Sequence, residues 1–167
     1  MASQLKHMQY AYNESVKKKV LKGLKSLDPV AFEEFSKRLM EVYGFHDIEV
    51  TNISRDGGID GRGKLKVGLS EMNVFFQCKR WRKKAIQRPE VDKFRGAIQG
   101  KCEQGVFFTT STFTPGAKDV SFSAGAVPII LLDGDGIVDL MFEKEFGVSK
   151  ESLYVYSDAL DMVIDAD

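Results

Sequence analysis

GVFFTT, residues 105–110, and PIILL, residues 128–132, are the two stretches from which the fold can be read. A strand with one wet face alternates apolar and polar residues, whereas one covered on both faces runs continuously apolar. These two are of the second kind. Helix signatures lie around them. Thr114-Pro115 places a capping hydroxyl before a proline, which sacrifices no hydrogen bond at the first helical position. Pro89 opens another helix, with Val91, Phe94 and Ile98 on its inner face. Helix and strand therefore alternate through this half, and the prediction is an α/β domain whose sheet is covered on both faces.

Upstream, Val16, Val20, Leu24 and Leu27 recur at helical spacing between Glu14 and Leu27, with Lys17, Lys18, Lys19, Lys22 and Lys25 around them. Asp28 and Pro29 cap and open a second helix, whose stripe is Phe32, Phe35, Leu39 and Val42 and whose stop is Gly44. Ile48 and Val50 then alternate with polar residues as in a half-exposed strand. Asp56-Gly57-Gly58 is a turn, and strands are expected at about 59–66 and 73–81. Asp135 is expected to cap a last helix running to about Phe146, and the acidic stretch from Ser149 to Asp167 to lie at the periphery.

The 167 residues suffice for one domain with a real core, and no apolar run approaches the ~20 residues of a membrane span. The start of the chain lacks the apolar stretch of a secretory signal. Cys78 and Cys102 are the only cysteines, too few for a disulfide framework or a four-thiolate zinc site, so a cytoplasmic location is expected. His7 and His46 are the only histidines, which argues against a histidine-metal nuclease; His46 is expected in an exposed loop. Net charge is zero, but its distribution is uneven. Residues 1–101 hold 21 Lys/Arg against 12 Asp/Glu, and residues 102–167 hold 3 against 12. The first part can draw a polyanion that the second would repel.

The chemistry concentrates in Asn73–Trp81 (NVFFQCKRW) and in the DGGIDG run at 56–61. Alternate strand residues share a face, so Gln77 and Lys79 project together and Cys78 points the other way. Polar residues in an otherwise apolar strand need partners, because burying them unpaired costs a few kcal/mol. Asp60 begins the preceding strand and reaches Gln77 and Lys79 if the two strands pair as a hairpin. The glycines around it are read as leaving room for a phosphate to approach the backbone. Glu33, on the inner side of the second helix, points to the same spot. Two acids, an amide and a lysine suit the holding of Mg²⁺ against a phosphate, since this ion takes one or two carboxylates plus waters and substrate oxygens. Asp56 is a further candidate ligand, with turn formation its simpler role.

DGGIDG followed by QCKRW resembles the Mrr-type restriction endonucleases, members of the superfamily with a PD-(D/E)xK active-site pattern. The likeness extends through DPVAFEEFSKRLMEVYGF, RPEVDKFRGAIQGK, GVFFTTSTFT, PIILLDGDGIVDLM and EFGVS, covering about residues 28–150. It implies a three-layer core with a mixed central sheet flanked by helices. It divides the chain into a basic helical extension (1–27), a nuclease domain (28–147) and an acidic tail (148–167). It also implies a metal-binding Asp60, Gln77 in the place of the second acid, a catalytic Lys79, Glu33 as the helix glutamate, and the Cys78 backbone carbonyl as a metal ligand. Gln77 departs from the superfamily pattern, as does Ile59 where a proline would stand; both are similar to Mrr. The implied activity is Mg²⁺-dependent cleavage of double-stranded DNA, with Mn²⁺ able to substitute, in restriction of foreign or modified DNA.

Arg80, Arg82, Lys83, Lys84 and Arg88 follow the lysine, with Lys93 and Arg95 on the next helix, and such a cluster would neutralise phosphates. Trp81 is expected to pack rather than stack on a base. Family members join this nuclease to a separate DNA-recognition domain, which nothing here resembles; a partner subunit or a homodimer is the other expectation. Competing readings are weaker. Gly58–Leu65 (GIDGRGKL) nearly matches a phosphate-binding loop but lacks the final hydroxyl. Asp133-Gly134-Asp135-Gly136 lacks the glutamate of a calcium loop and reads as a turn and helix cap. A degenerate DNA-binding module, a junction-resolving nuclease and a mere Asp60–Lys79 salt bridge are the remaining alternatives.

Overall fold

A computed structural model describes residues 2–51 and 58–164. Its elements run α1 (Ala2–Ser26), α2 (Pro29–Val42), β1 (Phe45–Val50), β2 (Gly61–Val67), β3 (Ser70–Lys79), α3 (Arg88–Ile98), β4 (Gln104–Thr109), α4 (Pro115–Ser121), β5 (Ile129–Leu132), α5 (Gly134–Glu143) and a short α6 (Asp161–Ile164). The five strands form one sheet in the order β1-β2-β3-β4-β5. β1, β2 and β3 pair antiparallel, while β3, β4 and β5 pair parallel through the crossover helices α3 and α4. The sheet is mixed and flanked by helices, as expected.

Strand alternation divides the core in two. Val74 and Phe76 of β3 and Val106 and Phe108 of β4 face the side of α1, α2 and α5, with Phe32, Leu39, Ile137 and Met141. Phe75 and Phe107 face α3 and α4, with Val91, Phe94, Ile98 and Phe113. On that second side Phe107 meets Phe94 at 5.7 Å and Phe113 at 5.6 Å between centroids, both edge-on. Each such pair contributes ~0.5–1.5 kcal/mol beyond the area it buries. Three layers result, with β3 and β4 central and buried on both faces.

Helix starts follow the expected chemistry. Asp28 accepts a hydrogen bond from the Ala31 N–H at 2.8 Å, and Thr114 Oγ1 from that of Ala117 at 3.3 Å. Four expectations need correction. Helix α1 extends back to Ala2, well before Glu14, with only its last turns packed on the core through Val20, Leu21 and Leu24. Phe32, Phe35 and Leu39 of the expected α2 stripe pack on the core, joined by Ser36 and Met40, while Val42 at the helix end is 41% exposed. His46 lies within β1, half-buried, with Asp47 and Glu71 beside its two ring nitrogens. Asp133, not Asp135, caps α5, accepting from the Gly136 N–H at 2.9 Å. The turn-and-cap reading of that stretch therefore stands with the cap two residues earlier. Residues 149–164 are exposed throughout. Among the described residues no helix is long and apolar enough to cross a membrane.

Candidate active site

The hairpin register fixes the first juxtaposition. Gly61 of β2 stands opposite Phe76 of β3, so Asp60 enters β2 alongside the end of β3 that carries Gln77, Cys78 and Lys79. Its backbone is held on both sides: Asp60 N donates to Phe76 O at 2.9 Å, and Asp60 O accepts from Thr51 N at 2.8 Å. Its carboxylate turns onto β3, where Oδ2 accepts from the Cys78 N–H at 2.6 Å. A charge-assisted bond to a backbone donor is strong, and it ties the acid to the strand bearing the lysine.

Gln77 is 5% exposed, and its Oε1 is buried with no hydrogen-bond partner. A buried acceptor left unsatisfied costs ~1–3 kcal/mol, so its presence calls for a function. Gly58 backs the amide at φ +101°, and a Cβ there would lie 2.5 Å from Gln77 Nε2. At Gly61 a Cβ would lie 2.2 Å from the Phe76 ring. The glycines thus make room for side chains of β3, and the expectation that they leave space for a phosphate is corrected at both positions. Asp56 and Gly57 lie outside the described residues.

Alternation holds at the end of β3. Lys79 turns toward Trp81 on the α3 side, whereas Cys78 packs on the α2 side. Burial pushes the Cys78 thiol well up, eased by a hydrogen bond with Ser36 and reinforced by the charges of Asp60 and Glu33. It is a neutral thiol, unlike a thiolate ligand. Glu33 on α2 is half-buried, and burial followed by the negative charge of Asp60 pushes its carboxyl up. Burial likewise pushes Asp60 up, against the pull of the Cys78 N–H and of the Lys79 ammonium. Asp60 therefore links the two sides, coupled by charge to Glu33 on α2 and to Lys79. Gln77 and Lys79 lie on the opposite, α3-facing side of β3, so the expectation that Glu33 points to the same spot as the amide and the lysine is corrected. Asp60 and Lys79 form no salt bridge, so the reading of the pair as a simple ion pair is not supported. Among the described residues no group of three or more His, Cys, Asp and Glu gathers in metal-binding geometry. Any cation here would rely on the amide and backbone oxygens beside the acids.

Two residues of this region escaped the sequence reading. Thr109 Oγ1 donates to Lys79 O and Thr110 Oγ1 to Trp81 O, each at 2.8 Å, and both threonines are almost fully buried. The signal was present, since hydroxyls closing a continuous apolar strand must find partners.

Beyond β3 the basic run divides. Arg82, Lys83 and Lys84 are exposed. Arg88 is also exposed, in contact with Asp92 at 3.1 Å, and Arg80 is half-buried with its Nε unpartnered. Lys93 is exposed, but Arg95 is not available as a DNA contact. Its side chain is 13% exposed and donates to the carbonyls of Val120 and Val127, closing the loop after α4. Trp81 packs against the α3–α4 core, as expected.

The chain is 39% identical over 148 residues to the type IV methyl-directed restriction enzyme EcoKMrr of Escherichia coli (strain K12), covering 85% of this chain and 47% of that enzyme. The chain thus spans about half the length of this relative. Its fold is similar to that of the DNA modification-dependent restriction endonuclease AspBHI, with a TM-score of 0.64 and 25% identity over 79% of this chain and 36% of the other. The restriction endonuclease MspJI, solved with a 27-mer oligonucleotide, shares the fold at a TM-score of 0.51 and 20% identity, over 76% of this chain and 30% of its own. Residues 24–141 match the restriction endonuclease family Mrr_cat. The chain belongs to the Mrr catalytic family of restriction endonucleases.

Proposed function

We propose that residues 28–147 form a Mg²⁺-dependent endodeoxyribonuclease domain, with Mn²⁺ able to substitute, flanked by a basic helical extension (1–27) and an acidic tail (148–167). The observation that carries this reading is the buried, unpartnered Oε1 of Gln77 on the strand end whose next residue, Cys78, is hydrogen-bonded to the Asp60 carboxylate. A hard cation is a fitting partner for that oxygen, and the two acids pushed up by burial favour a positive charge beside them.

Asp60, Gln77 Oε1 and the Cys78 carbonyl would hold the ion, with Glu33 supporting from α2. When bound, Mg²⁺ supplies charge to polarise a phosphate and to lower the pKa of a water. Asp60 is kept in place by the Cys78 N–H, so its free oxygen keeps one orientation. Lys79 brings a positive charge to the scissile phosphate, where charge develops during displacement. Arg80, Arg82, Lys83, Lys84 and Arg88 would bind the phosphates of double-stranded DNA, giving affinity that falls with salt. EcoKMrr is methyl-directed and AspBHI modification-dependent. Modified DNA is accordingly the substrate class inferred for this domain, with recognition assigned to a separate domain or subunit and two-strand cleavage to a homodimer acting in the cytoplasm.

The test is supercoiled plasmid incubated with Mg²⁺ or Mn²⁺ and the parent, Asp60→Ala or Lys79→Ala. The parent should nick only with metal and the variants not at all. DNA binding without cutting in all three would identify a degenerate binding module. Cutting by both variants at the parent's rate would refute the site.

A further inference from the structure

Trp81 is the chain's single tryptophan, and two ammonium groups stand over its ring. Lys84 Nζ lies 4.9 Å and Lys79 Nζ 5.9 Å from the ring centroid. The backbone beneath is fixed at both ends. Trp81 N donates to Lys79 O at 2.9 Å, Thr110 Oγ1 bonds Trp81 O, and Thr109 Oγ1 bonds Lys79 O. The ring itself is half-buried against the core cluster that also contains Ile59, the residue before Asp60. Among the described residues neither lysine forms a salt bridge.

A carboxylate would also hold an ammonium, but it would cancel the charge and compete with phosphate for it. The negative face of an indole attracts the cation and leaves its charge whole. We propose that Trp81 is a positioning residue, whose indole holds the Lys79 ammonium at the nuclease centre and links that centre, through Lys84 on the same ring, to the DNA-binding run. The proposal rests on the function inferred above. Two like charges on one ring weaken each other's hold. When a DNA phosphate draws Lys84 away, the ring is left to Lys79, so seating of DNA tightens the lysine's position.

Two measurements test this, one of them independent of cleavage. In plasmid nicking, Trp81→Leu keeps the apolar packing and removes the indole face. It should lower kcat about twofold to about thirtyfold, the range set by a cation–π contact, with KM for DNA changing less. Trp81→Phe, which restores a ring, should recover most of that loss. In fluorescence, the lone tryptophan reports directly on its cations. Lys79→Met and Lys84→Met should each change the emission, and DNA added to the parent without divalent metal should shift it in the direction of Lys84→Met. Parental kcat in Trp81→Leu, or emission indifferent to both lysine substitutions, overturns the proposal. Should Trp81→Leu fail to fold, the lysine variants retain the indole and emission decides. If the parent cuts no plasmid, the nuclease reading fails separately, and emission still upholds or overturns the seating of the two ammonium groups on the indole.

Discussion

Replacing Gly58 by alanine tests the cradle around Gln77 more sharply than removal of Gln77 itself. Two costs can be worked from the structure. First, φ at Gly58 is +101°, a conformation that a residue with a Cβ holds only at ~1–3 kcal/mol. Second, the new Cβ would lie 2.5 Å from Gln77 Nε2 and 3.2 Å from its Cδ. Restoring an ordinary contact of about 3.5 Å requires the amide to move by roughly 1 Å. Glutamine is flexible, but this one is 5% exposed and has little free space to move into. Strain alone should lower Tm by roughly 2–12 °C, at about 2–4 °C per kcal/mol for a domain of this size. A displacement of that order at a positioned group should cost about 10²-fold in cleavage rate. The assay is thermal unfolding and metal-dependent nicking for Gly58→Ala, Gln77→Ala and the double variant. Because Gln77→Ala removes the atoms in the way, the alanine at 58 should cost less stability in that background, leaving only the backbone strain. An equal cost in both backgrounds, or a Gly58→Ala enzyme as stable and as fast as the parent, would refute the reasoning.

Three further outcomes follow from the site. Asp60 carries a raised carboxyl pKa in the metal-free fold, so the folded form binds the extra proton and stability is lost as pH rises from about 4 through the folded value. Asp60→Asn, which keeps an acceptor for the Cys78 N–H, should therefore be more stable than the metal-free parent at neutral pH. That advantage should vanish in acid, and only the parent should gain stability from Mg²⁺, both read by urea titration across pH. Gln77→Glu should destabilise the metal-free protein at neutral pH but lower the Mg²⁺ concentration for half-maximal cutting, roughly tenfold for ~1.4 kcal/mol of added attraction. Replacing Arg82, Lys83 and Lys84 together by alanine should flatten the salt dependence of DNA affinity by about 2.7 in log–log slope, at about 0.9 per phosphate contact. An unchanged slope would remove these residues from the interface.

Much of this was legible because the decisive features are local. Continuous apolar runs marked β4 and β5, and Asp28-Pro29 and Thr114-Pro115 marked two helix starts that the structure places there. β5, though, lies at the sheet edge with Ile130 45% exposed and is not covered on both faces as expected. The hairpin that brings Asp60 to β3 needed only a turn between two strand patterns. What was not legible depends on neighbours distant in sequence. Nothing in RPEVDKFRG distinguishes Arg95 from Arg88, yet the carbonyls of Val120 and Val127 take the first and leave the second exposed. His46 was read as loop because an antiparallel partner 18 residues away, Lys64, is needed to make a strand of it. Gly58 and Gly61 were read as open space because only the folded register shows Gln77 and Phe76 filling it.

The presence of an amide where the wider superfamily pattern has an acid can be understood from the same electrostatics. Position 77 is buried, and Asp60, bound to the next residue of the strand, is already pushed up by burial, as is Glu33, which is coupled to Asp60. A third carboxylate would add desolvation and like-charge repulsion together, which raises the pKa of the group and costs stability whenever no cation is bound. The amide offers one oxygen toward a cation while its NH₂ lies against the Gly58 backbone, so it needs no proton to survive without metal. The consequence is a weaker attraction for the ion and a lower penalty for its absence. A domain built this way can wait folded without metal and become competent when metal and DNA phosphate, each supplying charge or oxygen the protein withholds, arrive at the same place.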